Sequence, residues 1–266
     1  MKKNSNISLN YKKFLKSQKI DYVTTKIYQI LLLLVILSLW ELLAQFGLID
    51  PFFFSSPSRI CKTLFELAKS GNLFHHMIIT LYETFLGFTI STLIGTLIAM
   101  LLWWSKKTRD VLDPYIVVLN SLPKIALGPL IIIWVGAGMS SIITMCVLIS
   151  VVITTISMLS SFLSCDNDKI LLMKSFGAKK IQILTKLIIP YSIPDFMSVL
   201  KINVGMSWVG IVMGEYLVSK AGLGYLIVYG SQIFKLDVVL TSTVVLCALA
   251  CFMYGIVSLI EKRFRR

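Results

Sequence analysis

The polar stretch Cys165-Asp-Asn-Asp-Lys-Ile-Leu-Leu-Met-Lys-Ser-Phe-Gly-Ala-Lys-Lys-Ile-Gln-Ile-Leu-Thr-Lys-Leu-Ile-Ile-Pro190 separates two long apolar stretches of the chain. It opens with an Asp-Asn-Asp run, and such side chains accept hydrogen bonds from the free N–H groups at a helix N-terminus. Gly177 lies in its middle, where a left-handed residue can end one helix before another begins. The pattern predicts a short exposed helix over residues 166–178, and Pro190 closes the stretch.

The side chains of this stretch predict an amphipathic helix. Leu172, Phe176 and Ile183 can form an apolar side, while lysines such as Lys174 stay solvated. A short amphipathic helix of this kind suits docking into the groove of a partner protein.

The composition indicates a membrane protein. The 266 residues are 56% hydrophobic and 15% charged, with a mean hydropathy of +0.83, whereas soluble domains are about 45–50% apolar and about 25% charged. The net charge of +13 does not indicate nucleic-acid binding, because the cations lie in tails and loops without interleaved aromatic side chains. The five cysteines lie mostly in or beside apolar runs, which favours packing over metal binding.

Six apolar stretches are long enough to cross a bilayer as helices. The third is interrupted by Leu122-Pro123-Lys124 and Gly128-Pro129, and such breaks are tolerated where the freed backbone is packed in protein or lines a cavity. Glycine pairs in the second and fifth stretches predict close helix packing. The predicted spans are about 27–48, 78–104, 112–136, 140–164, 190–218 and 237–260.

The distribution of Lys and Arg predicts the orientation in the membrane. Nineteen of the 26 lie in the two tails and in the loops that share their side, and five lie in the loops of the other side. Because cytoplasmic loops carry such an excess, both termini and the Gly177 loop are predicted to be cytoplasmic in a multi-pass protein of the cell membrane. Residues 1–26 are predicted to be a cytoplasmic basic tail, and residues 27–266 a transmembrane domain with its core at about 78–260.

The 165–190 stretch resembles the cytoplasmic loop of binding-protein-dependent ABC importer permeases. The pattern of that family is Glu-Ala-Ala, three residues, Gly, nine residues, an aliphatic residue, any residue, an aliphatic residue and Pro. The matching residues are Gly177, Ala178, Leu187, Ile189 and Pro190. The sequence departs from the pattern at Leu171-Leu172-Met173, which replaces Glu-Ala-Ala and lacks its carboxylate.

The resemblance continues from about Trp40 to the C-terminus and is to the nitrate, sulfonate and taurine branch of these permeases. It rests on a shared order of short landmarks: Ser55-Ser-Pro-Ser58, Gly87-Phe88, Leu112-Asp-Pro114, Leu122-Pro123, Leu127-Gly-Pro-Leu130, Trp134-Val-Gly136, Trp208-Val-Gly210, Gly214-Glu-Tyr216 and Gly222-Leu-Gly-Tyr225. The first 25 residues lie outside the match.

The resemblance implies an all-α integral membrane protein with six transmembrane helices, of the type I ABC importer permease kind, with a cytoplasmic coupling helix. It implies a homodimer or heterodimer of permease subunits in lipid, two ABC ATPase subunits beneath it and an extracytoplasmic solute-binding protein above it. ATP-driven closure of the ATPases would move the coupling helix, and the spans would alternate access. The implied coupling residues are Leu171, Leu172, Lys174, Phe176, Gly177, Ala178 and Pro190.

The sequence lacks the motifs of an enzyme. It has no Gly-x-x-x-x-Gly-Lys-Ser/Thr phosphate-binding loop and no Gly-Lys dipeptide. It also has no zinc-binding spacing and no Gly-x-Ser-x-Gly nucleophile motif. We therefore expect a transport subunit without cofactor or metal of its own, whose partner ATPase uses ATP and Mg²⁺.

Polar residues within the spans are the candidates for a solute pathway, because an unpaired charge is costly at membrane depth. Lys201 stands where the family usually carries Arg, and Glu215 at its acidic position. The alternatives are that Lys201 reaches the headgroups, that Glu215 ends a span, and that uncharged groups bond or pack between helices. The candidates are Glu83, Asn120, Lys124, Lys201, Asn203, Ser207, Trp208 and Glu215.

Two other function classes compete with the permease interpretation. An ion-coupled secondary transporter would use Glu83, Lys124 or Glu215, but it would show inverted repeats, which the sequence does not display. An intramembrane enzyme is disfavoured by the missing catalytic residues. The resemblance leaves the solute open among nitrate, sulfonates, taurine and pyrimidine vitamin precursors, since specificity in such systems lies largely in the separate binding protein.

Overall fold

The computed structural model describes residues 9–264, and every regular element within that range is helical. The chain divides between Lys62 and Thr63 into two units. The first unit holds α1 (Leu9–Gln45), α2 (Pro51–Phe54) and the start of α3 (Pro57–Lys69). The second unit holds the rest of α3 and all later helices.

Helix α1 is longer than the predicted first span. Its apolar portion runs from Ile20 to Gln45, and the helix itself begins at Leu9. Residues 9–26 of the predicted basic tail are therefore helical, whereas residues 1–8 lie outside the described part of the chain. The helix ends before residue 48 because Gly47 takes a left-handed conformation, with φ of 68°.

Glu41 of α1 holds the first turn of α3. The backbone N–H of Ser58 donates to Glu41 Oε2 at 2.9 Å, and the Ser58 hydroxyl donates to Oε1 at 2.8 Å. A carboxylate is favourable at this position because it bonds free N–H groups at the positive end of a helix. The predicted Ser55-Ser-Pro-Ser58 landmark is thus the turn into α3.

Four helices of the second unit are long and apolar enough to cross a membrane: α4 (Asn72–Trp104), α7 (Met139–Leu163), α10 (Ile189–Val218) and α12 (Leu236–Phe264). The short helices α8 (Asn167–Ser175) and α9 (Lys180–Ile183) precede α10, and α11 (Leu223–Gln232) follows it. A single π-helical turn over Leu184–Ile188 makes α9 continuous with α10.

The predicted third span is a broken pair of helices. Helix α5 (Lys106–Ser121) is followed by a 3₁₀ turn (Lys124–Leu127) and by α6 (Gly128–Val135), with a bend of 83°. The break falls at Pro123, which has no N–H to continue the helix. The predicted interruption is confirmed, and counting the pair as one span gives the six predicted spans.

Helix α7 packs between α4 and α10, and glycines bring the three backbones close together. A Cβ on Gly87 of α4 would lie 2.4 Å from the sulfur of Cys146, and a Cβ on Gly210 of α10 would lie 2.5 Å from Cys146 Cα. A Cβ on Gly95 would lie 2.6 Å from Thr154 Cβ. The prediction of close packing at these glycines is confirmed.

Two large apolar clusters fill most of the described second unit, and a small third cluster of Ile142, Cys146 and Ile211 joins α7 to α10. One of the large clusters includes Leu102, Phe162 and Ile188, and the α8 segment packs against it. The other joins α10 to α11 and α12 and includes Trp208 and Leu223. The clusters place α8 and α11 near opposite ends of the same helices, because residues 188 and 208 are separated by about 30 Å of helix.

Candidate functional site

The ends of α8 follow the local signals of the sequence. Asp166 caps the helix by accepting the N–H of Asp168 at 2.9 Å. At the other end Gly177 has φ of 74°, its N–H bonds to the carbonyl of Lys174, and the N–H of Ala178 bonds to that of Met173. This paired arrangement is the Schellman motif, which needs a left-handed residue at the glycine. The predicted end of the helix at Gly177 is confirmed.

Helix α8 has one face toward the protein and one toward its surroundings. Ile170 and Met173 pack against the neighbouring apolar cluster. Leu171, Leu172 and Phe176 are exposed by 63%, 57% and 79%. Exposed large apolar side chains that neighbour one another on a helix outside the spans indicate a surface that another molecule covers.

The segment after α8 is anchored in the bundle. Ala178 is half-buried, and Ile183 is only 3% exposed because it belongs to the core. The prediction that Ile183 shares an apolar side with Leu172 is therefore wrong. Lys180 donates to the carbonyl of Trp104 at the end of α4.

Pro190 lies in the first turn of α10, directly after the π-helical turn, and is exposed. Proline is tolerated there because the π-helical turn before it already departs from the i→i−4 hydrogen-bond ladder that a proline interrupts. Lys174 is exposed on α8, as predicted for a solvated lysine. The segment from α8 to Pro190 thus connects an exposed helix directly to the central helix α10.

Asn120 and Lys124 meet at the break between α5 and α6. The Lys124 ammonium donates to the backbone carbonyl of Asn120 at 3.1 Å. A cation is favourable there because it caps the negative end of α5. Lys124 also lines a cavity of about 250 Å³ whose other walls are mostly apolar side chains of α4, α5 and α7.

Asn203, Ser207 and Trp208 lie inside the bundle, none more than 6% exposed. Asn203 donates to the hydroxyls of Ser91 and Thr92 on α4, at 3.3 and 2.5 Å. These contacts are interhelical hydrogen bonds and packing, which are the alternative to a role in the solute pathway. Their place on the solute pathway stays a prediction.

Lys201 forms an ion pair with Glu261 of α12 and lies 5.9 Å from the ring centre of Tyr254. Glu261 is 7% exposed. The pair joins α10 to α12 inside the membrane-spanning part of the chain, where each charge needs a partner. Glu261 is not predicted from the sequence, because it lies 60 positions after Lys201 and no local pattern connects the two residues.

Glu215 is 1% exposed and is held by a dense network. Its Oε1 accepts the Thr80 hydroxyl at 2.7 Å, and its Oε2 accepts the N–H of Gly224 at 2.5 Å. Glu83 of α4 is 4% exposed, and its Oε2 has no hydrogen-bond partner in the described protein. Both carboxyl groups lie between packed helices, and their pathway role stays a prediction.

The network around Glu215 supplies hydrogen-bond acceptors to the N–H groups in the first turn of α11. Free N–H groups at a buried helix N-terminus need acceptors from elsewhere in the protein. Here they come from α4 and α10: the N–H of Gly222 donates to His76 Nδ1 at 2.9 Å, that of Leu223 to Thr80 Oγ1 at 2.8 Å, and that of Gly224 to Glu215. The Gly-Leu-Gly sequence is needed because a Cβ on either glycine would lie within 2.7 Å of the Glu215 carboxylate.

A polar groove on α7 was not identified from the sequence. Two adjoining cavities of about 400 and 450 Å³ share Ser160 and Ser164. Asp195 of α10 lines one of them and accepts the Ser161 hydroxyl at 2.8 Å, and Asp113 of α5 lines the other. The signal in the sequence is the spacing of serines 157, 160, 161 and 164, which places four hydroxyls on one helix face.

Comparison with known proteins gives consistent results. A family model described as "Binding-protein-dependent transport system inner membrane component" matches residues 91–266. A probable ABC transporter permease protein of Haemophilus influenzae is 30% identical over 230 residues, which cover 86% of this chain and 93% of that protein.

Two further relatives are named for their solutes. The putative aliphatic sulfonates transport permease protein SsuC of Bacillus subtilis is 27% identical, covering 88% of this chain and 85% of its own. The taurine transport system permease protein TauC of Escherichia coli is 28% identical, covering 82% and 81%.

Two solved structures share the fold. The MetNI methionine ABC transporter in an inward-facing conformation superposes with a TM-score of 0.62 at 20% identity, over 70% of this chain and 93% of that one. A bacterial ABC transporter involved in alginate import gives 0.64 at 16% identity, over 96% and 100%.

Proposed function

Because the chain belongs to the family of binding-protein-dependent transport system inner membrane components, we propose that α8 couples it to ATPase subunits and that its helix bundle passes a small sulfonate-type solute. The chain is the permease subunit of an ABC importer with a type I fold. It is not an enzyme, since ATP hydrolysis belongs to a separate subunit of such transporters. The predicted relationship to the sulfonate and taurine branch is confirmed, and nothing supports an ion-coupled carrier.

The exposed face of α8 carries the coupling proposal. Leu171, Leu172 and Phe176 each expose more than half of their surface on a helix whose other face is fixed to the bundle. Apolar anchors on one face of a short helix are the elements that a protein groove recognises. The family's glutamate is absent at Leu171, so the contact with the ATPase is apolar at this point.

The remaining subunits are assigned by analogy with the family. The chain pairs with a second permease subunit, identical or not, and receives its solute from an extracytoplasmic binding protein. Both termini and α8 lie in the cytoplasm, on the strength of the Lys and Arg distribution. This chain holds no cofactor of its own, and its ATPase partner uses ATP with Mg²⁺.

The names of the relatives support a sulfonate as the solute. The α7 groove adds chemistry that suits such a solute, because the hydroxyls of Ser157 and Ser160 can donate to sulfonate oxygens. Asp113 and Asp195, which flank the hydroxyls, can accept from the ammonium group of an aminosulfonate such as taurine.

Substitution of Gly177 tests the coupling proposal. Gly177→Val places a β-branched side chain at φ of 74° with open space around it, so the effect is backbone strain of about 1–3 kcal/mol. We expect α8 to lose its presented orientation, and the amount of ATPase that co-purifies to fall about ten-fold or more. ATP-driven uptake of taurine and ethanesulfonate in proteoliposomes should fall with it.

Gly71→Val is the matched control. Gly71 has φ of 76°, also with no atom within 4 Å of a Cβ, but it lies at the start of α4. It imposes the same strain far from α8 in sequence and should leave ATPase binding unchanged. If Gly177→Val retained its ATPase and its coupled hydrolysis at the level of Gly71→Val, the assignment of α8 would be wrong.

A further inference from the structure

His75 and His76 are the two histidines of the sequence, and they lie side by side near the start of α4. Their surroundings differ, because consecutive residues of a helix point in different directions. His75 is exposed, whereas His76 is half-buried. The His76 ring lies 5.9 Å, centre to centre, from the ring of Tyr225. His76 is therefore the histidine that faces α11.

One nitrogen of the His76 ring holds the start of α11. The backbone N–H of Gly222, the N-cap residue of α11, donates to His76 Nδ1 at 2.9 Å. A ring nitrogen accepts a hydrogen bond only when it carries no proton, so the ring is neutral and its proton lies on Nε2. The contact thus specifies both the charge and the tautomer of His76.

A proton on Nδ1 would make this contact unfavourable. The imidazolium ring has an N–H donor at each nitrogen, so Nδ1–H would face the N–H of Gly222 with no acceptor between them. Its charge would also lie at the N-terminus of α11, which is the positive end of the helix dipole. The next two N–H groups of the turn keep their acceptors, Thr80 and Glu215. Protonation of His76 therefore loosens the start of α11 without detaching the helix.

The groups around His76 do not compensate a charge on its ring. His76 forms no ion pair within residues 9–264. Glu215 is buried, and its two oxygens accept from Thr80 and Gly224. The neighbouring titratable group that acts on His76 electrostatically is His75. The other titratable groups of the surrounding segments are Glu66 and Lys69 of α3, Glu83 of α4, Tyr216 of α10, Lys220 of the turn before α11, and Tyr225 and Tyr229 of α11.

We propose that His76 is a proton-sensitive positioning residue, whose neutral ring holds α11 in place and whose protonation in acidic surroundings releases the start of that helix. Histidine suits this role because its charge changes in the range of about pH 5–8. The ring is half-buried, so protons from solvent reach it. On the orientation proposed above, α11 lies at the extracytoplasmic end of the bundle, and the pH that acts on His76 is that outside the cell.

The consequence for transport rests on the proposed permease function. Leu223 and Leu226 of α11 pack in one apolar cluster with Trp208 of α10 and Val245 of α12. Release of the start of α11 removes support from the outer part of these two helices. ATP-driven uptake therefore falls as the outside becomes acidic.

The protonation state of His76 can be observed directly, because the chain has two histidines. The full-length chain, purified through a histidine-free tag, is labelled with ¹⁵N in histidine and placed in lipid nanodiscs for NMR. His75→Asn leaves only the ring signals of His76. We expect a bare Nδ1 and a protonated Nε2 at about pH 8, and an imidazolium at about pH 5. A proton on Nδ1 at about pH 8, or a ring that stays neutral to about pH 5, would overturn the proposal.

Hydrogen exchange of residues 222–226 then measures how firmly α11 is held. His76→Asn is the informative variant, because its amide oxygen accepts a hydrogen bond near the position of Nδ1 and does not titrate. We expect equal protection in the wild type and in His76→Asn at about pH 8, and about 5- to 10-fold lower protection in the wild type at about pH 5. His76→Ala, which has no acceptor, should be less protected at both pH values. The control His75→Asn should behave as the wild type.

Comparison of the variants separates His76 from the buried carboxyl groups and from transport. An equal loss of protection in His76→Asn at low pH would assign the effect to Glu83 or Glu215 and overturn the role of His76. Uptake of taurine and ethanesulfonate into proteoliposomes, with pH changed only outside, should fall in the wild type more than in His76→Asn. The same pH response of uptake in both would overturn the effect on transport. If neither protein takes up solute at any pH, the proposed function fails, while NMR and exchange on the permease alone still decide the role of His76.

Discussion

The carboxylate of Glu215 has a donor at each oxygen, Thr80 on one and the N–H of Gly224 on the other. Glutamine supplies one acceptor and one NH₂ group, so Glu215→Gln replaces one of the two accepting oxygens and removes the hydrogen bond that this oxygen accepts. A buried group left unpaired costs about 1–3 kcal/mol. We expect Glu215→Gln to lower the free energy of unfolding by that amount, measured by denaturant titration in detergent, and to reduce transport through the loosened α11.

Glu66→Gln is the control for this prediction, because Glu66 is an exposed glutamate on α3. Its unfolding free energy should match that of the wild type. Wild-type stability of Glu215→Gln combined with a loss of transport would contradict the structural role. That result would favour a place on the solute pathway, which is one of the two roles that the sequence leaves open for Glu215.

The ion pair between Lys201 and Glu261 provides a second prediction for single residues. Removing one partner abolishes the ion pair and leaves the other charge buried, which costs up to about 3–5 kcal/mol. We expect Lys201→Met and Glu261→Gln each to destabilise the protein, and the exchange Lys201→Glu with Glu261→Lys to recover part of the loss. A double-mutant cycle on unfolding free energies measures the coupling between the two sites. Additive effects would show that the pair does not join α10 to α12.

At the scale of elements, the sequence predicts those features that depend only on neighbouring residues. The caps of α8, the break at Pro123 and the close packing at Gly87 follow from residue types whose conformational limits do not depend on the rest of the chain. The hydrogen-bond partners of Glu215 and Gly222, in contrast, come from distant parts of the chain. His76 bonds a residue 146 positions away, and no periodicity of a single sequence reveals such a pair.

The α4–α7 contact provides a test at this scale. A Cβ on Gly95 would lie 2.6 Å from Thr154 Cβ and 3.0 Å from the carbonyl oxygen of Val151. Gly95→Val must push the two helices apart, and such overpacking typically costs about 1–3 kcal/mol. Gly255→Val on α12 is the matched control, since no atom lies within 4 Å of its added Cβ. Equal thermal stability of the two variants in detergent would mean that the α4–α7 contact tolerates a wider spacing.

At the scale of the whole molecule, the number of crossings depends on one element. Within residues 9–264, five helices are long enough to cross the membrane alone, and the α5–α6 pair is bent by 83°. If the pair crosses, six spans place both termini on one side. If it dips in and returns, five spans place them on opposite sides. The Lys and Arg distribution favours six, because it collects nineteen cations on one side.

Labelling at two positions on either side of the pair decides between these topologies. Residues 69 and 174 are separated by α4, the bent pair and α7. Three crossings place these residues on opposite faces of the membrane, and two crossings place them on the same face. Single cysteines at Lys69 and Lys174 are introduced into a chain whose five native cysteines are replaced by serine or alanine. In sealed right-side-out vesicles, a membrane-impermeant maleimide should label the cysteine at 69, and label that at 174 only after permeabilisation. Labelling of both from outside would mean that the α5–α6 pair does not cross the membrane, and α8 would then be unable to reach a cytoplasmic ATPase.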